Sequence, residues 1–244
     1  MPDSTKEAKI PPLFPKGYWD RPEKFKDIGD ADASAIYLEV GMTTSAWESA
    51  EGALTFLFLI FSECETTNSY NAIRRAFGSI ESSGGRRRAM EAAAEIYFGP
   101  SWSAPVVKRR FKELMTAFED ASRRRDDIAH GIATAIKIDN KSYGAFLFPP
   151  SYNTQRTYPY FINAPGVRAY MAEKFRYTAE DIRGFRLKFS ELTEKTVKYV
   201  PKIKKIERVP AMLWGAALKS QGQSDDAIAD FCKRNGLTLE DLYP

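Results

Sequence analysis

Apolar residues recur at helical spacing through the first quarter of the chain. Ile36, Val40, Trp47, Leu54, Phe58 and Phe61 fall three, four or seven residues apart, which predicts a long first helix over about 31–63. Gly41 and Thr43-Thr44 are points where it can bend. Its second half is apolar on nearly every side, as expected for a helix central in a bundle. A second helix is predicted over about 68–80, stopped by Ser82-Ser83-Gly84-Gly85. A third, alanine-rich, runs over 86–98 and stops at Gly99-Pro100. A fourth starts near Ser103, with Pro105 in its first turn, where a missing N–H costs nothing. It carries Val107, Phe111, Leu114, Met115 and Phe118, and reaches Ile128 or His130 before Gly131 ends it.

The period then changes. Positions 132–138 and 143–148 are rich in β-branched and aromatic residues and flank Asp139-Asn140-Lys141-Ser142, the pattern of a β-hairpin. A third strand is predicted over 158–162. A helix resumes at Thr178, with Thr178 and Asp181 spaced as a capping box, and continues to about Val200. The basic stretch from Lys202 to Arg208 follows, then helix starts at Ser224-Asp225 and Thr238. The first thirty residues are proline-rich (Pro11, Pro12, Pro15) with scattered aromatics, an arm expected on the surface of the main body. The expected fold is mainly α: an antiparallel bundle of four to five helices with a small β-hairpin or sheet inserted after the fourth. The expected organisation is an arm over 1–30, the bundle over 31–200, and a basic linker with short helices over 201–244.

A chain of 244 residues can bury one full core with appendages. Its 43% hydrophobic and 28% charged residues are those of a globular protein. A formal charge of +4 is too weak by itself to imply nucleic acid. The distribution says more, with clusters at Arg86-Arg87-Arg88, Lys108-Arg109-Arg110, Arg123-Arg124-Arg125 and Lys202 to Arg208. Arginine dominates three of them, and its planar fork suits phosphate. Each run taken alone also reads as a solvated helix face. Cys64 and Cys232 form no CxxC pair, which fits a reducing compartment. The most apolar run, 54–61, is too short to span a bilayer, and the N-terminus has no secretory h-region. The expectation is a cytoplasmic protein with no membrane partner. No phosphate loop, metal cluster or nucleophile motif is present in the sequence, so no cofactor and no metal are expected.

The candidate chemistry lies in one segment, Arg123-Arg124-Arg125-Asp126-Asp127-Ile128-Ala129-His130-Gly131, which holds the only histidine of the chain. Acid–base chemistry by an imidazole must use His130. On a helix, Asp126 is four residues before it and Asp127 three, so both share its face. A neighbouring carboxylate and a helix C-terminus both favour the protonated ring. Arg123, seven residues before His130, returns to its face; Arg125, five before, lies about 140° round an ideal helix. A phosphodiester is the natural ligand of such a set. The guanidinium stabilises charge on the non-bridging oxygens while the imidazole moves a proton on the attacking or leaving oxygen.

Arg125-Asp126-Asp127-Ile128-Ala129-His130-Gly131 resembles the signature of HEPN domains, which commonly reads Arg-Asn/Asp-x-x-Ala-His-Gly late in a helix of an all-helical bundle. The likeness covers roughly 34–131, and the helix over 44–63 with Trp47, Glu48 and Glu51 resembles the family's opening helix, where an acidic residue often lies near the site. The resemblance implies a metal-independent endoribonuclease of toxin–antitoxin, abortive-infection or CRISPR-linked type. It implies Arg125, Asp126 and His130 as catalytic residues, with Arg123, Arg124, Glu48 and Glu51 as substrate-binding candidates. It also implies a homodimer with two motifs facing one cleft, RNA as substrate, and an antitoxin or other protein as partner. Two further readings stay open. A histidine before a glycine at a helix end is often only a cap, and the bundle can be a catalytically silent module binding RNA, nucleotide or protein. Tyr152, Tyr158 and Tyr160 around Arg156 can stack bases or can be an ordinary aromatic hairpin.

Overall fold

The structure is a computed structural model and describes residues 11–63, 66–99, 105–138, 140–150 and 174–204. Within them the helices are α1 (Ala33–Phe61), α2 (Thr67–Gly78), α3 (Ser83–Phe98), α4 (Pro105–Ala129) and α5 (Ala179–Lys204). Among the described residues between α4 and α5 there is one antiparallel hairpin, β1 (Ile132–Ile138) and β2 (Lys141–Phe148). The mainly helical fold with a hairpin after the fourth helix is the one that the sequence periodicity predicts. The chain divides into two compact units, one of residues 1–54 with 113–196, the other of 55–112 with 197–244. The strand expected over 158–162 and the helices expected after residue 204 lie outside the described residues. No helix among the described residues is long and apolar enough to cross a membrane.

In the first unit, α1 turns Ile36, Glu39, Thr43, Trp47 and Ala50 inward at three- and four-residue spacing. Gly41 does not interrupt it. The hairpin pairs Ile132 with Phe148 through Ile138 with Lys141, with an irregularity between Ile136 and Lys137. Strand alternation sends Ala145 and Leu147 into a cluster with Ile36, Ile128, Tyr177 and Ile182. Phe146 and Phe148 form a second cluster with Ile136. β2 is paired on both edges, because Asp30 and Ala145 exchange backbone hydrogen bonds of 2.9 and 2.7 Å, as do Leu147 and Tyr177 (2.8 and 3.0 Å). Gly144 permits this close approach. Its φ is +82°, and a Cβ there would stand 2.7 Å from the Asp30 carbonyl oxygen.

The expected surface arm is built into this unit. Trp19 is buried and stacks on Phe189 of α5, with ring centroids 5.8 Å apart. Lys188 donates to the Tyr18 carbonyl at 2.7 Å, and the Tyr18 hydroxyl donates to Glu191. The α5 cap is the reciprocal box expected of Thr178 and Asp181: Thr178 N–H donates to the Asp181 carboxylate at 2.9 Å, and Asp181 N–H to the Thr178 hydroxyl at 3.3 Å. α5 runs on past Pro201 to Lys204, beyond its expected end near Val200.

The second unit packs Phe58 on Phe77 (4.3 Å) and gathers Tyr97, Phe98 and Phe111 around Phe61. Here α3 begins earlier than predicted. Ser82 is its N-cap and accepts from the Gly85 N–H at 3.0 Å, so Ser83-Gly84-Gly85 forms the first turn instead of a loop. A Cβ at Gly85 would meet Ile80 Cγ2 at 2.7 Å, which explains a glycine inside a helix start.

Candidate functional site

α4 delivers the candidate segment to the surface. Leu114, Phe118, Ala121 and Ile128 hold its inner face in the first unit. The helix closes with His130 N–H donating to the Asp126 carbonyl at 3.2 Å and Gly131 N–H to the Ile128 carbonyl at 3.3 Å. Gly131 is not in the left-handed conformation that a glycine helix stop usually takes. It is there for packing: a Cβ would stand 2.5 Å from Leu147 Cγ, with both δ-methyls within 2.9 Å. The chain thus turns from α4 directly into β1, pressed against β2. His130, at that turn, is exposed. Its backbone donates the bond just described, and its ring makes no hydrogen bond among the described residues.

The two aspartates of the segment have different environments. Asp127 is 3% exposed and is the centre of a buried network. Arg21 of the arm donates to it through Nε and Nη2, both at 3.0 Å, a bidentate pair. Arg124 Nη1 approaches at 3.2 Å, one helical turn back. The Tyr177 hydroxyl donates to Oδ2 at 3.3 Å. Burial, and next the Asp127 charge, hold the Tyr177 hydroxyl far above its ordinary pKa. Asp126 is partly exposed and meets Arg125 Nη1 at 3.0 Å.

The arginines also separate. Arg123 is 61% exposed and pairs with Glu119 (2.6 Å) and Asp120 (3.0 Å) on its own helix. Arg124 belongs to the Asp127 network. Arg125 lies between Asp126 and the ring of Trp47, with its guanidinium carbon 5.7 Å from the ring centroid. Its Nε is buried and has no acceptor among the described residues. This stacking brings the Arg125 side chain against the turn of α1 that also carries Glu48, which is exposed, and Glu51, which is half-buried and partnered.

An open groove of about 350 Å³ runs beside α4, lined by Trp19, Asp20, Arg21, Asp120, Arg123 and Arg124. The Trp19 indole N–H and Arg124 Nε are buried without an acceptor among the described residues. Arg21, Trp19 and Tyr177 are the residues that sequence reasoning missed. Each is held to the segment by tertiary packing, and no spacing signal links Arg21 to a residue 106 positions away. Glu39 is a second hidden charge centre, buried on α1 and paired with Arg183 (2.8 Å) and Arg186 (3.1 Å). Comparison with protein-family models, curated proteins and solved structures gives no match to this chain.

Proposed function

We propose that the protein is a metal-independent endoribonuclease of HEPN type. The observation that carries this reading is the placing of His130: an exposed imidazole with no hydrogen-bond partner among the described residues, closing the helix that carries Arg125. A ring committed to a cap would bond its helix's last carbonyls, and this one does not. Arg125 has its approach set by Trp47 and Asp126, so the guanidinium is positioned before a phosphodiester arrives. Asp127 lies on the buried side and holds the helix end.

In the reaction the RNA 2′-hydroxyl attacks the adjacent phosphorus and the P–O5′ bond breaks. A base takes the 2′ proton and an acid supplies one to the leaving 5′-oxygen. The products are a 2′,3′-cyclic phosphate and a 5′-hydroxyl. Arg125 neutralises the non-bridging oxygens as charge develops. His130 performs one proton transfer, and the His130 of a second copy in a homodimer performs the other. A toxin or defence role, with an antitoxin as partner, follows from the same reading.

The test is direct. Labelled RNA is incubated in EDTA with the wild type, His130→Ala and Arg125→Ala. Cleavage to cyclic-phosphate ends by the wild type alone supports the proposal. Intact RNA that stays bound to the wild type makes the protein a silent binding module instead.

A further inference from the structure

The groove beside α4, which lies wholly in the first unit, holds hydrogen-bonding groups of both kinds that the fold leaves unmatched. Trp19 and Arg124 line it, and the indole N–H and the Arg124 Nε are buried without an acceptor among the described residues. Buried donors are nearly always paired, so two orphans in one wall point to a partner that a ligand brings. Asp20 of the same wall is exposed, and its carboxylate accepts no hydrogen bond among the described residues. A tight turn sets its place: Asp20 N–H donates to the Gly17 carbonyl at 2.9 Å, and a Cβ at Gly17 would stand 2.8 Å from Asp20 Oδ2. The other charges of the groove are matched within the fold. Arg21 is held by Asp127, and Arg123 by Glu119 and Asp120.

These vacancies select the ligand. The indole N–H and the guanidinium Nε only donate, so the ligand must bring acceptors. An ionised carboxylate only accepts, so the ligand must bring donors as well. A phosphate has no N–H to offer, and it would face the like charges of Asp20 and Asp120. A nucleobase is neutral and planar and carries both kinds of group on its edges. Guanine presents two adjacent donors, N1–H and the 2-amino group, to the two oxygens of one carboxylate, while its O6 and N7 accept. Adenine and cytosine have an amino group flanked by a ring-nitrogen lone pair, and uracil has one N–H between two carbonyls, so none of them matches both oxygens. A groove of about 350 Å³ is ample for one base.

We propose that this groove holds a guanine base. Asp20 accepts from N1–H and the 2-amino group, and Trp19 Nε1 and Arg124 Nε donate to O6 and N7. Both nitrogens are closed off from water, so the base has to part the outer wall, where the Arg123 side chain is exposed. The proposal rests on the ribonuclease reading only for the source of the base, an RNA strand instead of a free nucleotide. Arg123 is seven residues before His130, on the same face of α4 and about 10 Å along its axis. A strand with its scissile phosphate at His130 can therefore lay a nearby base in the groove, which places cleavage close to a guanosine.

The experiment uses the full chain carrying His130→Ala, so that RNA stays whole. Anisotropy compares a fluorescein-labelled oligouridylate with the same strand carrying one central guanosine, inosine, adenosine or cytidine. The guanosine strand is expected to bind about tenfold tighter than the adenosine, cytidine and all-uridine strands, with inosine, which lacks the 2-amino group, between them. Adding Asp20→Asn, at an exposed side chain, is expected to bring the guanosine and all-uridine strands to about the same affinity. Adding Trp19→Phe keeps a ring against Phe189 and is expected to reduce the guanosine preference about fivefold. Circular dichroism checks that each variant is folded. Equal affinity for all strands overturns the proposal, and so does a guanosine preference untouched by Asp20→Asn in a folded chain. Absence of binding to every strand and to guanosine monophosphate overturns it too. Guanosine monophosphate that displaces the guanosine strand at equal affinity supports the base site and makes the free nucleotide its ligand. A wild type that cleaves RNA without regard to guanosine keeps the ribonuclease reading and removes this one. A wild type that cleaves nothing, with a guanosine preference that depends on Asp20, does the reverse.

Discussion

Arg21 and Asp127 are joined by two hydrogen bonds of 3.0 Å across 106 residues, so the second aspartate of the candidate segment ties the arm to the end of α4. Its neighbour Asp126 pairs with Arg125 at the surface. Adjacent carboxylates of the same type therefore do different work. Asp127→Ala leaves Arg124 and Tyr177 buried without their acceptor, and breaking a buried pair in this way costs about 3 kcal/mol. Asp126→Ala removes a partly exposed pair, worth about 0–1 kcal/mol. Urea unfolding is expected to separate the two variants by a large shift in midpoint at constant slope. Equal midpoints would remove Asp127 from its structural role.

Gly131 makes a second prediction at the same helix end. Its backbone is one that alanine adopts freely, so conformational strain is not the issue. The obstacle is Leu147, whose side chain occupies the place of the missing Cβ. Gly131→Ala is expected to cost about 1–3 kcal/mol by overpacking. Gly131→Ala combined with Leu147→Ala is expected to lose less than the sum of the two single changes, measured as a double-mutant cycle. Strict additivity would contradict the packing account.

The fold is legible in the sequence because local patterns carry most of it. The α1 and α4 stripes, the hairpin after Gly131 and the Thr178–Asp181 cap all depend on residues within a turn or two of each other. The α3 start is not legible, because Ser83-Gly84-Gly85 has loop chemistry, while Ser82 caps it and Ile80 fills the space beside Gly85. The candidate segment is legible as a motif, but the division of labour inside it is not. That division is set by Arg21, Trp47 and Tyr177, residues distant in sequence that decide which side of α4 is buried.

The arm supplies a third test. Trp19 stacks on Phe189, which also meets Trp47 edge-on at 5.4 Å, so the three rings link the arm to α5 and α1. Trp19→Ala is expected to cost about 3–5 kcal/mol, the range for a buried aromatic truncated to alanine. A chain lacking residues 1–28 is expected to lose this stacking together with the Arg21–Asp127 pair, and so to unfold at lower temperature than Trp19→Ala. A truncated chain as heat-stable as the wild type would show that the arm is only an appendage.

Alkaline pH gives a prediction whose sign follows from three tyrosines. Tyr18, Tyr177 and Tyr199 are each held above the ordinary value of 10.0, first of all by burial, with Glu191 adding to the effect at Tyr18 and Asp127 at Tyr177. In the unfolded chain these hydroxyls ionise near 10. The folded protein keeps their protons at that pH, so it binds more protons than the unfolded chain there, and stability falls as pH rises. The contribution is complete below about 10 and is lost above it. Absorbance at 295 nm followed beside far-ultraviolet circular dichroism reads both events. These three tyrosines are expected to ionise only as the helical signal collapses, and Tyr177→Phe is expected to lessen the loss of stability above pH 10. A tyrosine titration that runs to completion while the helices remain intact would show that these hydroxyls are open to solvent, and with them the Asp127 network.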